Sequence, residues 1–164
     1  MEALREELHR LKQQEEQLQF AHFSADDAWS LGCMLVETAK KRALQPAFEI
    51  TCNDYVLFRY GFAATNLHNE QWLRRKYNTV QTTHMSSLRA GLMLELSGED
   101  PERDWHLSTT DYAFLGGGFP LTLRGTGVIG AICCSGLPHR TDHQIVVDTI
   151  AAYLGQESGK ESNE

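Results

Sequence analysis

The chain has 164 residues, of which 41% are hydrophobic, and a formal net charge of −7 at pH 7. This length fits one domain that can bury its core without a disulfide or a metal. The acidic balance disfavours non-specific binding to nucleic acid or to an acidic membrane surface, and no apolar run has transmembrane length. The four cysteines lack the ligand spacing of a zinc site. We therefore expect reduced thiols in a cytoplasmic protein, with no metal site, no nucleic-acid partner and no membrane partner.

Residues 1–22 are predicted to form an amphipathic helix ahead of the main domain. The segment is rich in Glu, Gln and Lys, and Glu15 stands where a further apolar residue would fall. Its apolar residues recur at heptad spacing, which is typical of one helix face: Leu4, Leu8, Leu11 and Leu18. The stripe is too short for a secure coiled coil. The helix either docks on its own domain or contacts another subunit, and the sequence leaves both interpretations open.

A second helix and a hairpin are predicted next. Ser24 is a suitable N-cap for the helix, and Pro46 marks its end. Gly32 lies in mid-helix, where glycine is unfavourable, so we expect a close backbone contact there. Residues 47–62 then alternate in hydrophobicity around Asn53-Asp54, a pattern that predicts a β-hairpin.

A third helix, beginning near Asn66 or Asn69, is predicted to carry Trp72 and a basic triplet. The triplet is Arg74-Arg75-Lys76, the one dense basic cluster in this acidic chain. Such a cluster is either a solvated helix face or a place where an anionic group or an acidic subunit surface binds. The sequence by itself does not choose between these interpretations.

The stretch LGGGFPL, residues 115–121, raises the question of a phosphate-binding loop. Such a loop needs a lysine and a hydroxyl residue that open a helix after the glycines. Here Gly116-Gly117-Gly118 lead into Phe-Pro and a strand pattern, so no helix N-terminus offers free N–H groups. We predict instead a flexible entry, a bulge or a close approach at the start of a hairpin over residues 117–137. Whether the glycines also form the lip of a pocket is left open.

The last helix is predicted to begin at Thr141, where Gln144 would complete a capping box. His139 then lies outside the helix, and we expect His139 and His143 to be exposed rather than paired on one metal. Residues 155–164 consist mainly of small and charged residues and are predicted to be a disordered tail.

The order of these elements predicts the fold class. Strands occur as antiparallel pairs and not as alternating βαβ units. This pattern is typical of an α+β domain in which helices pack on an antiparallel sheet.

Several segments resemble the haem-degrading-domain family, also called GlcG/HbpS-like, over about residues 23–154. They are DAWSLGCMLVETA, NEQWLRRK and GGGFPLTLRGTGVIGAICCSGLPHRTDHQIV. The second resembles a subgroup with the pattern N-x-x-W-x-x-R-K, although His68 stands where that subgroup has an aspartate. The resemblance implies a profilin-like fold, with a five-stranded antiparallel sheet flanked by helices, and a ring-like or stacked homo-oligomer. Some members of the family bind haem, iron or corrinoid-type cofactors.

The leading functional prediction is an oligomeric binding or accessory protein. Its ligand-binding residues would be Trp72, Arg75, Lys76, Gly117 and Gly118. The two cations would meet an anionic group such as a haem or tetrapyrrole propionate, Trp72 would form an apolar wall, and the glycines would form the pocket lip. Two alternatives remain: an enzyme that degrades haem or modifies a small metabolite, and a ligand-free interaction scaffold. No catalytic residue can be assigned from the sequence.

Overall fold

The computed structural model describes residues 1–161, with side chains described through Ser158. In this part of the chain there are six helices and four strands. In chain order they are α1 (Glu2–Gln17), α2 (Ala25–Lys41), β1 (Ala47–Cys52), β2 (Tyr55–Gly61), α3 (Leu67–Thr83), α4 (Ser87–Ser97), α5 (Pro101–Asp104), β3 (Gly118–Leu123), β4 (Gly127–Ser135) and α6 (His139–Glu161).

The four strands of the described chain form one antiparallel sheet in the order β2-β1-β4-β3. The predicted number of five strands is therefore wrong. Phe20 alone lies beside β3: its N–H donates to the Thr122 carbonyl at 2.8 Å, and its carbonyl accepts from the Arg124 N–H at 2.8 Å. This contact is a single bridge within the seven-residue segment between α1 and α2, and the segment is not a strand.

Helices cover both faces of the sheet. On one face α2 and α6 enclose the main core, to which Phe48 and Ile132 contribute. On the other face Leu73 and Tyr77 of α3 pack against Cys133. Because side chains alternate along a strand, the neighbouring residues 132 and 133 of β4 supply opposite layers. The α+β class and the helix-covered antiparallel sheet predicted from the sequence are confirmed.

The helix α1 docks on its own chain. Leu11 is fully buried and packs against Leu88 of α4. Glu15 is also buried: it accepts a hydrogen bond from the Ser86 N–H at 2.8 Å and forms an ion pair with Arg89. The acidic residue that interrupts the leucine stripe is thus the polar anchor of the helix. These contacts favour the interpretation in which α1 belongs to its own domain.

The mid-helix glycine of α2 lies against the sheet. A Cβ atom at Gly32 would be 2.4 Å from ring atoms of Phe58. The predicted close contact is therefore present, although its partner is an aromatic ring and not a backbone segment.

The helix α6 begins earlier and ends later than the sequence predicts. The N–H groups of Thr141 and Asp142 donate to the Pro138 carbonyl at 2.8 and 2.9 Å, so the first turn starts at His139. The predicted capping box is replaced by a bond from the Gln144 side chain to Asp148. The helix continues through Glu161, into the segment for which a disordered tail is predicted from residue 155. The part of that prediction on residues 162–164 lies outside the described residues.

Across residues 1–161 we find no helix with the length and apolar character required to span a bilayer.

Candidate functional site

A cleft of about 770 Å³ lies between the first half of α3 and the sheet at β1 and β2. We call it the arginine cleft because Arg74 and Arg75 of α3 and Arg59 of β2 line it, while residues 109–111 close its far side. Its volume is within the range of small-ligand sites.

A β-bulge in the first hairpin sets the floor of the arginine cleft. Ile50 pairs with Phe58 but Thr51 pairs with Val56, so Leu57 is the extra residue. Val56 consequently shares a sheet face with Thr51, opposite to Phe58, and lines the cleft. The uninterrupted alternation seen in the sequence is therefore broken at the bulge.

Charge is unevenly distributed in the arginine cleft. Arg59 Nη1 lies 2.9 Å from Glu70 Oε1 and 3.4 Å from Glu49 Oε2, so two carboxylates neutralise this cation. Among the ion pairs of the described residues, none includes Arg74 or Arg75. Arg74 and Arg75 are therefore the cations of the cleft that have no carboxylate partner, whereas Glu70, in the first turn of the same helix, is paired with Arg59.

Arg75 is held in place without a carboxylate. Its Nη2 donates to the Thr109 carbonyl at 2.5 Å, and its guanidinium lies 4.3 Å from the centre of the Trp72 ring. Its Nε is buried and has no hydrogen-bond partner. Stacking and one backbone carbonyl thus fix the orientation of this cation and leave some of its donors unused.

The predicted site residues Trp72, Arg75 and Lys76 do not converge on one ligand position. Successive helical residues point in different directions, so Arg75 lines the arginine cleft while Lys76 points into the protein. Trp72 lines a second cleft together with Lys76, four residues further along the helix. The sequence placed the three residues on the correct helix, but Arg75 lines a different cleft from the other two.

Lys76 is a buried structural cation. Its side chain is 3% exposed, and its Nζ donates to the Cys134 carbonyl at 2.8 Å and to Asp142 Oδ2 at 3.1 Å. Asp142 neutralises the ammonium group, and Lys76 does not line the arginine cleft.

The predicted glycine lip is buried as well. A Cβ atom at Gly117 would lie 2.3 Å from the Cys134 carbonyl oxygen and 2.7 Å from Lys76 Nζ. The Gly118 N–H donates to Ser87 Oγ at 2.9 Å. Neither glycine lines the arginine cleft, and both are packed closely against neighbouring parts of the chain. The prediction of a close approach agrees with these distances.

The second cleft, which we call the small cleft, has a volume of about 330 Å³. It lies where the end of β4 meets α3 and the first turn of α6. Lys76 and Asp142 are among its lining residues, together with Trp72, Ser135 and His139. Two of the predicted ligand-binding residues, Trp72 and Lys76, thus lie at this junction, but the sequence did not indicate the contributions of β4 and α6.

The two histidines of α6 differ from the prediction of exposed side chains. His139 is half-buried, and its Nδ1 accepts a hydrogen bond from the Gly116 N–H at 3.1 Å. His143 is 2% exposed, and its Nε2 lies 3.0 Å from Gln14 Oε1 of α1. Within the described residues no group of three or more His, Cys, Asp or Glu side chains could hold a metal ion.

The four cysteines are free thiols. Cys133 and Cys134 are buried on opposite sheet faces, and burial raises the pKa of each thiol. Both are therefore protonated at neutral pH and are poor nucleophiles.

These features define an α+β domain with a cation-lined cleft beside its sheet. The family described as haem degrading protein HbpS-like matches residues 23–151, and the chain belongs to this family. The resemblance inferred from the sequence is therefore confirmed.

Relatives match most of the chain. A UPF0303 protein of Pseudomonas entomophila (strain L48) is 43% identical over 155 residues, which cover 94% of this chain and 86% of that protein. A UPF0303 protein of Yersinia pseudotuberculosis (serotype I, strain IP32953) is 38% identical over 156 residues, with coverages of 95% and 91%.

Solved structures share the fold at lower identity. The Ybr137w protein superposes with a TM-score of 0.85 at 24% identity, covering 92% of this chain and 88% of that one. The PduOC:heme complex gives a TM-score of 0.68 at 19% identity, with coverages of 79% and 94%. At these identities the superpositions establish the fold and nothing further.

The family description raises the question of whether haem fits the arginine cleft. A haem site needs apolar walls for the macrocycle and a ligand for the iron. Arg74 and Arg75 suit carboxylates, and His68 offers an imidazole, but Val56 is the one aliphatic side chain among the lining residues. In a single chain these residues fit a polar anion better than a porphyrin ring.

Proposed function

We propose that the protein is an oligomeric, cytoplasmic binding or accessory protein whose arginine cleft takes a small polar anion bearing carboxylate or phosphate groups. One observation carries this proposal: Arg74 and Arg75 line the cleft without a carboxylate partner in the described chain. Arginine binds carboxylate and phosphate oxygens through paired N–H donors. An anion in the cleft would supply carboxylate or phosphate oxygens to Arg74 and Arg75, which have no carboxylate partner in the described chain.

The electrostatics of the opposite wall support an anion of limited size. Arg59 pairs with Glu49 of β1 and with Glu70 in the first turn of α3, so both carboxylates are neutralised by a cation other than Arg74 or Arg75. Asp111 remains on the closing segment, where it would repel an anion that reached across the cleft. The favoured ligand therefore lies along α3 and does not fill the whole cleft.

The test is a binding titration. Inorganic phosphate, succinate and citrate are added to the protein at constant ionic strength, and binding is followed by calorimetry and by the melting temperature. We expect saturable binding of at least one anion, weakened about tenfold or more in Arg74→Gln through loss of a charge-assisted contact. Arg42→Gln is the matched control, because Arg42 pairs with Asp148 away from the cleft. No binding, or equal binding by both variants, would contradict the proposal.

Haem is the second candidate ligand. It is supported by the family description and by the similar fold of the protein in the PduOC:heme complex. A macrocycle here would need apolar surface from a second copy of the chain. Two exposed apolar side chains are next in sequence to residues that line the cleft. Tyr55, which precedes Val56, is 72% exposed, and Leu67, which precedes His68, is 68% exposed.

Haemin titration distinguishes the two ligands. A saturable Soret shift that is lost in the Arg74→Gln/Arg75→Gln variant would identify haem, whereas phosphate or citrate binding without a Soret shift would identify a polar anion. Light scattering run in parallel gives the mass in solution. If the measured mass is that of a monomer, the homo-oligomer part of the proposal is wrong. The apolar wall that haem requires from a second copy would then also be missing.

A further inference from the structure

The small cleft joins polar groups from three parts of the fold. Asn69 and Lys76 are seven residues apart and lie on one face of α3. Ser135 ends β4, and His139 begins α6. All four residues line the cleft. The chain thus brings together side chains that are separated by up to seventy residues.

The buried pair at this cleft has an unused donor. An ammonium group has three N–H donors, and those of Lys76 reach only two acceptors, the Cys134 carbonyl and Asp142 Oδ2. The Asp142 carboxylate is more fully occupied, because Oδ1 also accepts from Cys134 Sγ at 3.2 Å and from the Leu137 N–H at 3.1 Å. The pair therefore has more donor capacity than acceptor capacity left for a ligand.

His139 is also a donor toward the cleft. Since its Nδ1 accepts the Gly116 N–H, the neutral ring carries its proton on Nε2. Burial, with further effects from Arg140 and Lys76, lowers the pKa of His139, so the ring is neutral at pH 7. In this tautomer Nε2 has no lone pair for a metal but offers an N–H to an oxygen.

Two more donors complete the set. Asn69 Oδ1 is occupied because it accepts the Asn66 N–H at 3.0 Å, whereas Asn69 Nδ2 has no acceptor among the hydrogen bonds of the described residues. The same holds for the hydroxyl of Ser135, a residue that is 3% exposed. These groups have no acceptor oxygen within the described part of the chain.

Apart from Asp142, which is paired with Lys76, the rest of the lining is apolar. Trp72, Leu115 and Leu137 form that part of the wall. Arg75 lies over the Trp72 ring and adds a positive charge nearby. A ligand that matches both the donor groups and the apolar wall has an anionic end, which only accepts hydrogen bonds, and an apolar body.

We propose that the small cleft is a second binding site, which takes the carboxylate of a small molecule with an apolar body. The carboxylate oxygens accept hydrogen bonds from Lys76, His139, Asn69 and Ser135, and the apolar body lies against Trp72. This site is separate from the arginine cleft and does not depend on the function proposed for it.

Benzoate is the probe, and benzamide is its neutral comparison. The protein is labelled with ¹⁵N and titrated with each compound at constant ionic strength, with sodium chloride as the salt control. We expect saturable shifts of the Lys76 and His139 side-chain signals with benzoate. Benzamide should bind at least tenfold more weakly, because its NH₂ group would face the donors of the site without an acceptor.

Three variants locate the binding. Asn69→Asp retains the Oδ1 that caps α3 but replaces the donor with a carboxylate oxygen, so benzoate affinity should fall at least tenfold. Ser135→Ala should weaken binding to a smaller extent, and Arg42→Gln should leave it unchanged. Circular dichroism confirms that each variant is folded.

The outcomes are decisive in both directions. Selective weakening in Asn69→Asp and Ser135→Ala supports the site. The proposal is overturned if benzoate causes no more shift than chloride, if benzamide binds equally well, or if Asn69→Asp binds like the unmodified protein. It is also overturned if Arg74→Gln abolishes binding, since the probe would then occupy the arginine cleft.

Discussion

Lys76 of α3 and Asp142 of α6 form a buried ion pair across the end of β4, with Nζ 3.1 Å from Oδ2 and side chains 3% and 2% exposed. The Cys134 carbonyl is the second acceptor of the ammonium group at 2.8 Å. The pair therefore joins the helices from opposite faces of the sheet at a point where the strand between them ends.

Replacing one member of this pair should be costly. Lys76→Met leaves the Asp142 carboxylate buried without its cation, so the free energy of unfolding should fall by about 3–5 kcal/mol. Lys40→Met is the control, because Lys40 and its partner Glu37 are exposed, and its cost should stay below about 1 kcal/mol. Urea unfolding measures both values.

A double-mutant cycle then separates pairing from packing. Lys76→Met/Asp142→Leu should lose less stability than the sum of the two single variants, since neither charge remains buried alone. Strict additivity would show that the two side chains do not interact energetically.

Glu15 should anchor α1 to the domain. Glu15→Ala removes the acceptor of the Ser86 N–H and the partner of Arg89, at a cost of about 1–3 kcal/mol. Burial raises the pKa of this carboxyl group, so the comparison is made at neutral pH by chemical unfolding and by limited proteolysis after α1. Glu16→Ala alters an exposed pair with Lys12. In this variant α1 should resist proteolysis as well as it does in the unmodified chain. Equal cleavage of both variants would contradict the anchoring role.

His143 should make stability depend on pH. Burial, with smaller effects from Arg10 and Arg140, lowers the pKa of His143 from 6.5 to about 4, against the opposing influence of Glu7 and Asp148. Between pH 4 and pH 6.5 the unfolded chain binds more protons at His143 than the folded chain does. The contribution of neutral His143 to the free energy of unfolding is therefore complete above pH 6.5 and is lost as the pH falls toward 4. The loss amounts to about 3 kcal/mol.

The comparison with His143→Asn isolates this effect. Burial raises the pKa values of Glu15 and Asp142, which acts in the opposite direction as the pH falls, but both groups are present in both proteins. The difference in unfolding free energy between the unmodified chain and the variant should therefore shrink from pH 7 to pH 4.5. A constant difference would show that His143 titrates equally in the folded and unfolded states.

Two helical glycines should respond oppositely to alanine. At Gly32 the new Cβ would lie 2.4 Å from the Phe58 ring, so overpacking should cost about 1–3 kcal/mol despite the better helix propensity of alanine. At Gly155 of α6 no atom lies within 4 Å of the Cβ position, so the same change should be neutral or stabilise by up to about 1 kcal/mol. Thermal unfolding of the two variants tests the contrast.

The sequence predicted local elements better than long-range contacts. The hairpin over residues 47–62 and the N-cap at Ser24 depend on neighbouring residues, and both are present. The start of α6 was misplaced because Thr141 and Gln144 match a capping motif, whereas Pro138 provides the first helical acceptor. The five-strand expectation came from the family resemblance and not from the alternation of residues.

The candidate site was only partly predictable. The basic triplet identified α3, but a lysine in such a cluster is usually solvated, and nothing local shows that Lys76 is buried. Its partner Asp142 lies 66 residues further along the chain. Glu49 was the missed signal for the arginine cleft: it lies between Phe48 and Ile50, is the one charged residue of β1, and pairs with Arg59.

Each of the three successive glycines faces a different part of the fold. A Cβ at Gly116 would lie 2.3 Å from the His139 carbonyl oxygen, one at Gly117 would meet Cys134, and one at Gly118 would lie 3.0 Å from the Lys76 carbonyl oxygen. A larger residue at any one position would thus displace a different neighbour: α6, β4 or α3. The run GGG is consequently a requirement of close packing. A sequence with a larger residue at any of the three positions could not adopt this arrangement without moving one of these neighbours.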